Sequence, residues 1–291
     1  KKLIVLDPIT TEVAKLADYH IRLRPGTNVA VLNMMLYFIV KSKLHKEDFI
    51  LSRTEGFENF IKKIEKLDID HLAKVAGVDK QQVKEAAIAY ATAKNSMEFH
   101  GLGVTEQEQG SKTVMLIADL AMITGNIGRR GVGVNPLRGQ NNVQGAADMG
   151  CQPHQGAGYF PVADKKIQDF YTEKYGAVHP TKAGLKIPEI FDAAISRELK
   201  AVWIIGEDVV QTDPNSAHVA KAMNALDLLV VQEIFMSETA KHADVVLPGT
   251  TFLEKDGTFT NTERRVQRVN RAVEPLPGTK PDGVIVTEMM Q

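Results

Sequence analysis

The sequence predicts an α/β protein built of two doubly wound, mainly parallel-sheet domains. Three observations carry that reading. Short apolar runs such as Leu3–Leu6, Ala201–Ile205 and Leu228–Val231 recur between amphipathic helical stretches, the pattern of strands in a parallel sheet covered on both faces. The chain has 291 residues, more than one average domain needs. A segment rich in Gly, Asn, Gln and Arg, from Gly125 to Gly158, interrupts the alternation, and a boundary near Gln140 gives domains over 1–140 and 141–291.

Taken in order, Leu3 to Leu6 is a strand that opens at its carboxyl end into Asp7-Pro8. A helix from Thr10 to Ala17 follows, then a short alternating strand Ile21-Arg22-Leu23-Arg24 closed by Pro25-Gly26. From Thr27 a long helix sets Val31, Met34, Met35 and Phe38 on one stripe. Asp79 and Gln82 have the spacing of a capping box, and Val83, Ala86, Ala87 and Tyr90 continue that helix to Lys94-Asn95. A strand spans Met97 to Gly101. Ser111 is placed to cap a helix bearing Val114, Ile117, Ala118, Ala121 and Met122, which Gly125 ends. The segment Gly125 to Gly158 is too long and too polar for a routine connection and is expected to be a functional loop. Helices then cover Lys165 to Lys174 and Ile187 to Arg197, before the strand Ala201 to Ile205 and a loop from Gly206 to Asp213. A helix from Asn215 to Leu226 leads to the strand Leu228 to Val231, a short helix capped by Ser237 and the strand Val245 to Leu247. Val284 to Gln291 begins a further helix or strand.

Composition excludes several function classes. With 44% hydrophobic and 24% charged residues the chain is globular, able to bury about three quarters of its extended surface. Lys and Arg (35) balance Asp and Glu (36), so the net charge of -1 gives no field for nucleic acid or an anionic membrane. The single cysteine, Cys151, excludes an internal disulfide and a four-thiolate metal site made by this chain alone. Such usage suits a reducing, cytoplasmic setting, with a periplasmic one open for a longer protein. The apolar run Val29 to Val40, broken by Asn33, falls short of the roughly 20 residues of a membrane span and reads as a core helix. Lys1-Lys2 leads directly into a strand without an initiator Met, and no stop signal follows Val284; both are expected of a central fragment of a longer protein.

In doubly wound sheets ligands sit at the carboxyl ends of the strands, here Asp7-Pro8, Gly101-Leu102-Gly103, Gly206-Glu207-Asp208 and Gln232-Glu233. An acidic side chain there accepts from ribose hydroxyls or a guanine edge, and glycines let a pyrophosphate approach the backbone. Together they suggest a nucleotide-like ligand, although a lone strand-terminal Asp is more often a turn former. Glu106 stands where the third glycine of a dinucleotide fingerprint would be, and no P-loop occurs, so ordinary NAD or ATP binding is not supported. Cys151 and His154 form an isolated pair without further metal ligands, and no nucleophile elbow is present. Within the stretch Gly131 to Gly150, Arg138 stands among amides and glycines. Its planar fork of donors is suited to hold a small carboxylate, or to pair with Asp148 or solvent; the two readings stay open.

That stretch closely resembles the signature segment of the catalytic subunit of molybdenum- or tungsten-dependent formate dehydrogenases, in the DMSO reductase family of molybdopterin oxidoreductases. The resemblance runs through Leu6-Asp7-Pro8, Arg24-Pro25-Gly26-Thr27-Asn28, Gly101-Leu102-Gly103-Val104-Thr105, Leu120 to Gly128, Gly206-Glu207-Asp208, Ala243 to Pro248 and Glu254 to Gln267. It implies a bis-(molybdopterin guanine dinucleotide) cofactor with Mo or W in a cleft flanked by two α/β domains, and oxidation of formate to CO2 with two electrons passed to an iron–sulfur cluster. By position, Asp7, Gly26, Thr27 and Asn28 resemble the guanosine grip of one dinucleotide. Gly206, Glu207, Asp208, Gln232, Glu233, Lys255 and Asp282 resemble contacts to the other. Leu102 and Glu106 match pterin-facing positions, Arg138 the arginine that orients formate, and Gln140 a pterin-proximal glutamine.

The resemblance also has gaps. Its cysteine-rich iron–sulfur segment and its metal-ligating Cys or selenocysteine followed by His would lie upstream, and Cys151 does not match that ligand. Relatives carry Cys at Ala147, Gln at Glu106, Asp at Asn28 and Arg at Ile9. This polypeptide alone is therefore expected neither to retain the cofactor nor to turn over formate, and electron-transfer subunits are the expected partners. Another molybdopterin oxidoreductase, such as a nitrate reductase, or a non-catalytic scaffold relative are the alternatives.

Overall fold

A computed structural model describes residues 1–291, and its internal contacts divide the chain into Lys1–Gly139 and Gln140–Gln291. The α/β class with parallel pairing is what the structure shows. In the first unit β1 (Ile4–Leu6) lies parallel to β2 (Tyr19–Ile21), and β3 (Met97–His100) parallel to β4 (Gly133–Pro136). In the second, β5 (Ala201–Ile205), β6 (Leu228–Glu233) and β7 (Val245–Pro248) form a parallel sheet in that order, while β8 (Gly257–Thr260) and β9 (Val266–Val269) make an antiparallel pair.

The core of the first unit is the helix Asn28–Lys41, apolar almost all round and therefore central. Val31, Met34, Met35, Leu36 and Ile39 are buried on it, and helices Ile69–Ala76, Lys80–Thr92 and Gly110–Ile123 pack around it. In the second unit Leu229 and Val231 of β6 pack against Phe191 and Ala194 of helix Ile187–Ile195 and Val219, Ala222 and Met223 of helix Ser216–Ala225. Each parallel crossover runs through a helix, which leaves the carboxyl ends of the strands open.

Several local expectations are corrected. The stretch Gly125 to Gly158 contains β4 and a helix Val143–Asp148, because pairing with β3 holds the weak strand former Gly-Val-Asn-Pro in extended conformation. The second strand is Tyr19–Ile21, since Leu23 and Arg24 turn away ahead of Pro25. Helix Gly110–Ile123 starts at Gln109 without a side-chain cap, and Ser111 lies inside it. Asp79 caps its helix through Gln81 N, so Gln82 completes no capping box. A short helix Val209–Thr212 sits within the expected loop after β5. Residues 42 to 76, for which the pattern gave no assignment, fold into Glu47–Arg53, Phe57–Ile64 and Ile69–Ala76.

In the second unit Ile234, Phe235 and Met236, just past β6, are apolar yet 45%, 76% and 65% exposed. No helix is long and apolar enough to cross a membrane.

Candidate functional site

Three strand-end clusters contain most of the candidate residues. The first is the tip of β3 and β4. Parallel register sets His100 opposite Pro136, and Leu137 N donates to the His100 carbonyl at 2.7 Å, so the chain leaves both strands side by side. Leu102, 44% exposed, opens the helical turn Leu102–Thr105, and Gly139 lies so close that a Cβ there would sit 3.0 Å from Leu102 Cδ1. Arg138 is held between these contacts. Its side chain is exposed and pairs with no carboxylate of its own unit, while Asp148 accepts from Gln144 Nε2 at 2.8 Å. The guanidinium is thus uncommitted, as a substrate-binding fork requires. Glu106 follows the same turn, exposed and without an ion pair; Gln140 is exposed as well.

The second cluster follows β1. Asp7 Oδ1 accepts from Ile9 N at 2.9 Å, which makes it a turn former over Pro8 and leaves its second oxygen free. Gly26 has φ +81° with open space where a Cβ would be. Thr27 Oγ1 donates back to the Arg24 carbonyl at 2.6 Å, so it does not cap the helix it precedes. The first turn of helix Asn28–Lys41 therefore carries no side-chain cap and no acidic residue, a favourable place for an anion.

The third cluster lines the carboxyl edge of the β5–β6–β7 sheet. Gly206 N donates to the Gln232 carbonyl at 2.9 Å, and Gly249 N to the Glu233 carbonyl at 3.1 Å. Gln232, 1% exposed, donates through Nε2 to Asp282 Oδ1 at 2.7 Å, and Asp282 Oδ2 pairs with Lys255. Three candidates distant in sequence thus form one chain of contacts. Gln232 Oε1 and the nearby Thr250 Oγ1 are buried with no partner, which is costly unless a ligand or water supplies one. Gly206 has φ +65° and open space about it.

Two acidic candidates each engage one oxygen locally and keep the other free. Glu233 Oε1 accepts from Ile234 N at 2.7 Å and Glu207 Oε1 from Thr212 at 2.8 Å. Burial raises the pKa of Asp208, but hydrogen bonds from Thr239 Oγ1, Thr239 N and Glu238 N outweigh it and hold the carboxyl below its usual range. Its role is to tie the turn after β5 to the segment after β6.

Sequence reasoning missed Asn142, left-handed at φ 62°, whose Oδ1 accepts from Thr260 N at 3.0 Å. It lines a cavity of about 400 Å³ with Lys255, Asp256, Thr258, Phe252 and Phe259. The signal was present: Asn is the non-glycine residue that most readily takes this conformation, and Asn141-Asn142 stands among glycines. The hairpin β8–β9 that closes the cavity was not anticipated.

The chain is 45% identical over 292 aligned residues to "F420-dependent formate dehydrogenase subunit alpha" of Methanocaldococcus jannaschii, covering 100% of this chain and 43% of that protein. It is 42% identical to "Formate dehydrogenase H" of Escherichia coli over 99% of this chain and 40% of that one. The chain therefore spans about two fifths of the length of these relatives. Among solved structures, acetylene hydratase from Pelobacter acetylenicus shares the fold with a TM-score of 0.78 at 24% identity, over 99% of this chain and 42% of that one. The sequence pattern of the family described as molybdopterin oxidoreductase matches residues 1–291. With that match over its whole length, the chain belongs to the molybdopterin oxidoreductase family, whose members use a molybdopterin cofactor carrying molybdenum or tungsten.

Proposed function

We propose that this chain is the pterin-holding centre of a formate dehydrogenase that oxidises formate to CO2 and passes two electrons to an iron–sulfur cluster. The observation that carries the reading is Arg138: an exposed cation without a carboxylate partner in its unit, carried on the β3–β4 tip where Gly139 meets Leu102. Full-length similarity of the chain to proteins named formate dehydrogenase supports the choice of substrate.

The residues present fit the family's cofactor. Its pterin and nucleotide parts offer both donors and acceptors, and the buried unpartnered Gln232 Oε1 and Thr250 Oγ1 supply acceptors where such a group would lie. The open backbone at Gly26 and Gly206 admits close approach of phosphates. In a bis-(molybdopterin guanine dinucleotide) arrangement, Asp7, Gly26, Thr27 and Asn28 would hold one guanosine end. Gly206, Gln232, Lys255 and Asp282 would hold the other, with Glu207, Asp208 and Glu233 shaping the turns. Leu102, Glu106 and Gln140 would contact its pterin parts. When bound, the cofactor supplies a two-electron redox centre.

The chain's own contribution is positional. Arg138 takes the formate carboxylate in its planar fork, offsets its charge and fixes the direction of the C–H bond, which lowers the barrier through orientation and electrostatics. Lys255 neutralises Asp282 and so preserves the orientation of Gln232. The test is to purify the full protein, measure bound molybdenum and tungsten, and follow formate-dependent reduction of a viologen dye. Near-stoichiometric metal with formate turnover supports the reading; metal-loaded protein that reduces nitrate and ignores formate overturns it.

A further inference from the structure

Beneath the β3–β4 tip lies a polar cluster that the reading above leaves unused. Glu98 and His100 alternate with Met97 and Phe99 along β3; the latter two are 45% and 62% exposed, so Glu98 and His100 share the inward face. Tyr90, itself buried, is hydrogen-bonded to Glu98 Oε1. Glu98 Oε2 and His100 Nδ1 are both buried with no partner.

The surroundings supply no counter-charge. Helix Lys80–Thr92 contributes Tyr90, and β4 contributes Asn135, whose Nδ2 donates to the Glu98 carbonyl at 3.1 Å. Helix Gly110–Ile123 also packs on β3, but its Lys112 is exposed and its Asp119 makes no ion pair. Burial accordingly pushes Glu98 from its ordinary value of 4.5 up to about 8, and lowers the pKa of His100.

We infer that Glu98 and His100 are positioning residues for the substrate: a buried pair with unpartnered polar atoms beneath the β3–β4 tip that keeps the tip, and with it Arg138, in place. The inference rests on the reading of Arg138 as the formate-binding residue. The mechanical link is short. The His100 carbonyl receives Leu137 N, Arg138 is the next residue, and Gly139 abuts Leu102, two positions past His100. A neutral Glu98 can hydrogen-bond toward His100 Nδ1 through one bridging water. An ionised Glu98 would leave a bare buried oxygen, and relief of that cost requires the tip to shift or admit water.

The test compares wild type, Glu98→Gln and Arg138→Lys in the full-length enzyme. Between about pH 7 and about pH 9 the wild-type formate KM rises roughly fivefold with kcat nearly constant, whereas Glu98→Gln matches wild type at the lower pH and stays flat. Infrared spectroscopy shows a protonated-carboxyl band near neutral pH in wild type that the Gln variant lacks. Identical pH profiles for the two proteins, or a tenfold higher KM for Glu98→Gln near neutrality, overturns the proposal. Should Glu98→Gln fail to fold, the infrared band of wild type decides, and its absence overturns it. An unchanged formate KM in Arg138→Lys overturns the substrate reading itself; failure of the present proposal alone leaves Arg138→Lys impaired.

Discussion

Gly139 rests against Leu102, so that a Cβ on the glycine would lie 3.0 Å from the leucine's Cδ1, and this contact fastens the end of β4 to the end of β3. Arg138 is the residue before the glycine. The backbone that carries the guanidinium is therefore set by two strand tips together, while the side chain itself extends into the open.

Gly139→Ala tests that fastening. Leu102 is 44% exposed and its terminal methyl can move, so the variant should fold with a stability loss below about 1 kcal/mol. The displaced tip should raise the formate KM of the full protein severalfold. Steady-state kinetics and a urea titration separate the two effects.

Lys255→Ala leaves Asp282 with Gln232 as its remaining partner in the chain of contacts. The pair is part-exposed, so the direct loss of stability should be about 1 kcal/mol or less. Retention of cofactor should suffer more, because the freed carboxylate repels phosphate. Metal and guanine nucleotide released on denaturation should both fall well below the wild-type content.

Stability should depend on pH through Glu98. Its carboxyl is raised in the folded protein to about 8 from an ordinary 4.5. Below the unfolded value both states hold the proton and the group contributes nothing. As the pH climbs toward 8, the unfolded state loses its proton while the folded state keeps it, so stability falls, and above that point the loss is complete. Discounted for partial exposure, the penalty is roughly 1–3 kcal/mol. Glu98→Gln should abolish this slope in urea-unfolding midpoints measured across that range.

How much of this was legible in the sequence follows from what each signal encodes. Apolar runs such as Ala201–Ile205 and the stripe on helix Asn28–Lys41 are read directly, because their length and period match a strand and a core helix. β4 was not legible: in Gly133-Val134-Asn135-Pro136 only Val134 favours a strand, and the segment is extended by its partner β3. The Gln232–Asp282–Lys255 chain was foreseen residue by residue but not as one contact, since it depends on helix Asp282–Met289 returning to the end of β6. Asp208 looked like a ligand group at a strand end, and the same pattern equally serves a carboxylate that binds Thr239. Glu98 gave no signal, because an alternating strand with one acidic residue reads as half-exposed until the helix carrying Tyr90 covers it.

The most direct test of the central claim is Arg138→Ala in the full-length protein, with bound metal and formate turnover measured on the same sample. Metal content equal to wild type with a loss of at least about a thousandfold in kcat/KM for formate is the predicted result. Formate turnover within threefold of wild type would contradict the claim and remove Arg138 from the substrate site.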